Sequence, residues 1–198
     1  MNTNQSASPA SLIKAATSAA HLNTEKLLVR YVKQVQSNRD YAAILACMHG
    51  YFAPLEQKLD AQMKALLPDH EQRRKAGNME KDLAVLLEDV KRTEAVDLPD
   101  TGSDAAALGC FYVMEGSTLG GTVITKVIKD KNPGIPENAF SFFSGYGADN
   151  MNMWQAFVAR FNELLVSDEQ VAIATAAAND CFAKLENRIR EYYNEVRE

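Results

Sequence analysis

Gly109-Cys110-Phe111-Tyr112-Val113-Met114-Glu115-Gly116-Ser117-Thr118-Leu119-Gly120-Gly121 lies within a longer apolar run with helical periodicity. Gly109, Gly116 and Gly120 are separated by seven and four residues, so they share one face of that helix. Each interior glycine weakens a helix by about 1 kcal/mol relative to alanine. Three on one face, with Gly121 beside them, weaken it several-fold more unless the missing side chains are useful. A glycine face lets another body approach the backbone closely. Two bodies fit: a neighbouring helix at short range, which packing alone slightly favours, or a flat ligand lying on a locally bent helix. A phosphate-cradling loop does not fit, because no Lys-Ser/Thr pair follows the glycines and no strand precedes them.

Helical periodicity extends on both sides. A first helix is predicted from Ser11 to Gln36 and ends at Ser37-Asn38-Arg39-Asp40, a run of capping residues. A second runs from Tyr41 to Leu66; Pro54 predicts a kink or break in it, and Pro68 ends it. A third covers Gln72 to Arg92. After the loop Asp97 to Ser103, the glycine-bearing helix spans Asp104 to Lys129 and closes at Asn132-Pro133-Gly134-Ile135-Pro136. Phe142 to Asn150, with Gly145 and Gly147, reads as a turn. A further helix follows from Met151 to Leu165. Ser167-Asp168-Glu169-Gln170 is a capping box that opens the last helix, to Tyr193. Strand-like alternation and internal repeats are absent from the sequence. The expectation is an all-α fold of six or seven helices: a flexible polar N-terminal tail over 1–10 and one helical domain over 11–198.

The 198 residues, 46% of them hydrophobic, suffice for one domain with a substantial core. A net charge of -5 argues against a general nucleic-acid binder. Arg73-Arg74-Lys75 is the nearest approach to a basic run and reads as a solvated helix end. Cys47, Cys110 and Cys181 are widely spaced without a CxxC pair, so they read as small buried hydrophobes in a reduced compartment rather than zinc ligands. The polar N-terminus lacks the pattern of a signal peptide, and no apolar run approaches the roughly 20 residues that span a bilayer. A soluble, cytoplasmic protein is expected.

On the first helix His21 and Glu25 are four residues apart and share a face. Lys14 lies two turns before His21, ~10 Å back along the axis. An exposed ion pair is the ordinary reading of such residues. The trio also suits haem: an imidazole for the iron, a carboxylate to fix the ring's other nitrogen, and a cation for a propionate. His49, in an apolar helix, is expected to satisfy a buried hydrogen bond, and His70 to be exposed.

Tyr112 to Gly121 resembles the distal-helix motif of bacterial haem oxygenases, and Lys14, His21 and Glu25 resemble their proximal helix at the same spacings. Phe143-Ser144-Gly145-Tyr146-Gly147, with Trp154 and Phe157 after it, and Tyr51-Phe52-Ala53-Pro54-Leu55-Glu56 are similar to two further family segments. The resemblance implies a helical bundle with haem between a proximal and a kinked distal helix. It implies His21 as the axial iron ligand, Glu25 as its partner, and Lys14 and Tyr112 on the propionates. Gly116, Ser117 and Gly120, with Gly121, would form the distal face. Mammalian members carry an Asp where this chain has Ser117, as the bacterial branch does. Their basic propionate partners find only Arg160 as a loose counterpart. The implied reaction is cleavage of haem, both cofactor and substrate, to biliverdin, carbon monoxide and iron, with dioxygen and an external electron donor, either a protein or a small reductant. A biliverdin acceptor would be a further partner. The alternative on the same fold is a haem carrier or sensor without turnover.

Overall fold

The computed structural model describes residues 7–93 and 97–195, and all its regular structure is helical. Helix α1 spans Pro9–Val32, α2 Asn38–Leu66, α3 Gly77–Leu86, α4 Asp104–Lys131, the single turn α5 Ser141–Ser144, α6 Asn150–Leu164 and α7 Asp168–Glu195. The caps set these bounds. Ser8, Ser37 and Ser103 each accept a backbone N–H from the first turn of α1, α2 and α4. The capping box forms as expected: Ser167 Oγ accepts from Gln170 N at 3.2 Å, and the Gln170 side chain accepts from Ser167 N at 3.2 Å.

Four expectations need correction. Helix α1 starts two residues before Ser11, because Pro9 fits its first turn and Ser8 supplies the cap. Of the expected tail, residues 1–6 lie outside the described residues. Helix α2 runs unbroken through Pro54. The predicted helix from Gln72 to Arg92 is instead a short 3-10 turn, His70–Gln72, followed by α3, which ends at Leu87 in the left-handed conformation. The segment read as a turn after Phe142 contains α5, with positive φ at Gly145 and Gly147.

Helices α1 and α4 both pack along α7. Thr24 Oγ1 lies 3.5 Å from the Phe182 carbonyl, and Tyr31 stacks on Tyr193. Gly109 meets the Ala174 backbone so closely that a Cβ there would collide with its carbonyl. Large side chains from α2, α4 and α6, including Tyr51, Phe52, Phe111, Phe157 and Phe161, fill the interior. Cys47, Cys110 and Cys181 are buried free thiols within it. Asp82, fully buried on α3, accepts from Ser141 N and Phe142 N at 2.9 Å each and so anchors α5. No helix among the described residues is long and apolar enough to cross a membrane.

Candidate functional site

Ile13, Thr17 and Thr24 turn one side of α1 into the core. The flank next to it carries Lys14, His21 and Glu25, all exposed. His21 Nδ1 lies 3.9 Å from Glu25 Oε2, with both side chains more than half exposed. That gap is too long for a direct hydrogen bond and fits one bridging water. The imidazole stands edge-on against Phe182, with centroids 5.7 Å apart, so α7 supports the ring from one side.

Burial changes abruptly along α4. Every residue from Ala105 to Glu115 is buried, whereas only Thr118, Gly121 and Ile128 are buried thereafter. The glycines divide accordingly. Gly109 and Gly121 serve helix packing: a Cβ on Gly121 would strike the Phe143 carbonyl of α5. The Cβ direction of Gly121 is thus taken up by α5. Gly116 and Gly120, one turn apart, face elsewhere. A Cβ on Gly116 would come no nearer than 3.7 Å, to the Trp154 ring, and one on Gly120 would meet nothing within 4 Å. Open space over Gly120, one turn on from a Gly116 that the Trp154 ring covers, is the feature that close helix packing does not account for.

The helix is unbroken through this stretch, although its ladder is diverted. Ser117 Oγ donates to Met114 O and Thr118 Oγ1 to Glu115 O, each at 2.7 Å. Side-chain bonds to carbonyls within the helix compete with the backbone ladder and favour bending.

A buried charge cluster braces α4 at Glu115 and Ser117. Glu115, 6% exposed, accepts from Arg73 at 2.8 Å and from the Tyr146 hydroxyl at 2.9 Å. Arg73, 3% exposed, also forms a two-pronged pair with Asp69 at 3.0 and 2.6 Å and donates to Met153 O. Burial alone would lower its pKa, but Asp69 and Glu115 outweigh that and raise it. Arg74 N donates to Tyr146 Oη at 2.9 Å. The Arg74 guanidinium stacks on Phe142, 4.1 Å from the ring centroid, and donates to Ser117 Oγ at 2.7 Å and Met114 O at 2.9 Å. Burial pulls its pKa down against the attraction of Glu115. Burial and the Glu115 carboxylate both push the Tyr146 phenol up.

Reading Arg73-Arg74-Lys75 as a solvated helix end is thus overturned. Glu115 carries the missed signal: it is the one charged residue between Ala105 and Thr125, and a carboxylate in an apolar helix requires a cation. Arg160 donates to Leu66 O at 3.0 Å and pairs with Glu163, so it ties α6 to the end of α2. Tyr112 is buried between Trp154 and Phe161, and burial raises its pKa. His49 satisfies no buried bond; it pairs with the exposed Glu80 at 3.3 Å. His70 is only partly exposed and pairs with Glu71.

An exposed imidazole with a carboxylate one turn on, a lysine two turns back and an open glycine strip beside an aromatic wall suit a flat metal macrocycle with an acidic edge. The comparisons with known proteins agree. The family model described as "Heme oxygenase" matches residues 7–191. A heme oxygenase of Xanthomonas campestris pv. campestris (strain 8004) is 33% identical over 144 residues, covering 72% of this chain and 84% of that protein. The heme oxygenase of Neisseria meningitidis, solved with NO and CO bound, superposes with a TM-score of 0.74 at 22% identity, over 96% of this chain and 94% of the other. That of Leptospira interrogans gives 0.76 at 18% identity, over 93% and 100%. Family match, close relative and shared fold lead to one conclusion: this chain belongs to the haem oxygenase family.

Proposed function

We propose that the exposed face of α1 and the open strip of α4 are the two walls of the haem site. The family's reaction is the cleavage of haem to biliverdin, carbon monoxide and iron, and this chain is a haem-degrading enzyme. When bound, haem supplies both the oxygen-activating iron and the ring that is cut; the protein contributes binding, orientation and hydrogen bonding.

The residues divide that work. His21 would hold the iron through Nε2, since Nδ1 is the nitrogen that faces Glu25. Glu25, through a water, fixes the tautomer and ring angle and makes the imidazole a stronger donor. Lys14 neutralises a propionate at the exposed edge, with the Tyr112 phenol as a second partner. Gly116 and Gly120 would let the macrocycle approach the α4 backbone, whose groups would limit the room on that face of the ring. Ser117 borders that strip. Electrons come from an external donor, a protein or a small reductant, and the expected setting is the cytoplasm. The absence of side chains over Gly120 is the observation that carries the reading.

The test is to load the purified chain with haem, add a reductant in air and record the absorption spectrum. The expected result is loss of the Soret band with growth of the biliverdin band. A stable, reducible haem complex that yields no biliverdin would instead make the protein a carrier.

A further inference from the structure

Arg74 enters from the segment between α2 and α3, yet it ends on α4 beside the open strip. Its guanidinium donates to Ser117 Oγ at 2.7 Å and to Met114 O at 2.9 Å, while Ser117 Oγ gives its own proton to Met114 O at 2.7 Å. The serine hydroxyl is therefore locked. Its proton points to a backbone carbonyl, one lone pair is taken by Arg74, and one lone pair remains. With its proton on Met114 O, Ser117 presents the strip with a lone pair rather than a donor. The cation is locked as well. Its backbone N–H rests on Tyr146, its planar face on Phe142, and the Glu115 carboxylate reaches it through the same tyrosine. Glu115 and Tyr146, with the Glu56 carboxylate of α2, are the groups that act on its charge. Arg73 shares Glu115 and keeps it occupied.

We propose that Arg74 is a positioning residue for the distal face, holding a fixed positive charge one hydroxyl away from the Gly116–Gly120 strip so that an anionic group over that strip is favoured against a neutral one. This rests on the reading that the strip covers haem. The field of a guanidinium in a half-buried site is felt over several ångströms. Here the charge acts where Ser117, with its proton held on Met114 O, supplies no donor. The charge comes from outside α4, so the sequence of the distal helix alone does not reveal it.

The test compares two ligands of the ferric and ferrous haem complexes: azide, an anion, and carbon monoxide, which is neutral. Arg74→Met should weaken azide binding about tenfold and leave carbon monoxide affinity within about twofold, the selectivity expected of a lost nearby charge. Arg74→Lys should recover most of the azide affinity. Ser117→Ala leaves the Arg73–Glu115–Tyr146 cluster in place; it should change azide affinity in the wild-type background and much less in the Arg74→Met background, or in an Arg74→Gln background if Arg74→Met folds poorly, because the two side chains act as one unit. Equal losses for both ligands, no loss for azide, or additive effects of the two substitutions would overturn the proposal. A wild-type chain that takes up no haem would overturn the haem-site reading itself, and this proposal with it.

Discussion

At the residue scale, the chain separates residues that hold the fold from residues that await a ligand, and exposure is what divides them. His21 is more than half exposed and, among the described residues, its one close ring neighbour is Phe182. His21→Ala should therefore leave the melting of the ligand-free protein within about 0.5 kcal/mol of wild type, as surface substitutions do. Glu115 is the opposite case. Glu115→Leu would leave Arg73 with Asp69 as its one remaining carboxylate and the Tyr146 hydroxyl proton without its acceptor, and we expect a loss of about 3 kcal/mol in chemical denaturation, the usual result of breaking a buried pair. The sequence made His21 legible through its spacing to Lys14 and Glu25. It hid Arg74, because a guanidinium on a connecting segment carries no periodicity that says where it ends.

At the element scale, α4 combines two kinds of glycine that one-dimensional spacing cannot distinguish. The seven-and-four pattern placed Gly109, Gly116 and Gly120 on one face, and that face is real. What the pattern could not show is that α7 covers its first turns while the later ones are open. Gly121, adjacent in sequence to Gly120, points at α5 instead. Paired thermal melts distinguish the two roles. Gly121→Ala should lower stability by about 2 kcal/mol, since the Phe143 backbone must move. Gly120→Ala should raise it by up to about 1 kcal/mol, the helix preference of alanine over glycine in open space. Gly120→Leu should fold and yet bind haem poorly. Helices were readable from caps and periodicity; the exceptions have local causes. Pro54 is accommodated within α2, and the segment after Leu67 is shaped by Arg73 turning inward to Asp69 and Glu115.

At the scale of the whole molecule, one α-helical bundle brings α1 and α4 onto the same support, α7. The all-α class followed from composition and period, and haem followed only from the family resemblance, since periodicity does not specify what fills an open face. The interior also sets an alkaline limit on stability. Burial pushes the Cys47 thiol from 9.0 up to about 12, against the pull of Arg188. Burial, reinforced by Cys47, pushes the Tyr192 phenol from 10.0 up to about 12. Both groups stay neutral in the native state at pH values where the unfolded chain ionises. Their contribution is thus complete below pH 9.0 and is lost as pH rises toward about 12. Melts across that range should show falling stability, with a shallower decline in Cys47→Ala. The most direct test of the central claim, that haem lies between α1 and α4 on His21, is the resonance Raman spectrum of the ferrous haem complex in wild type and His21→Ala. The account predicts an iron–imidazole stretch in the wild type that disappears in the variant. The same stretch in both would place the axial ligand elsewhere and contradict it.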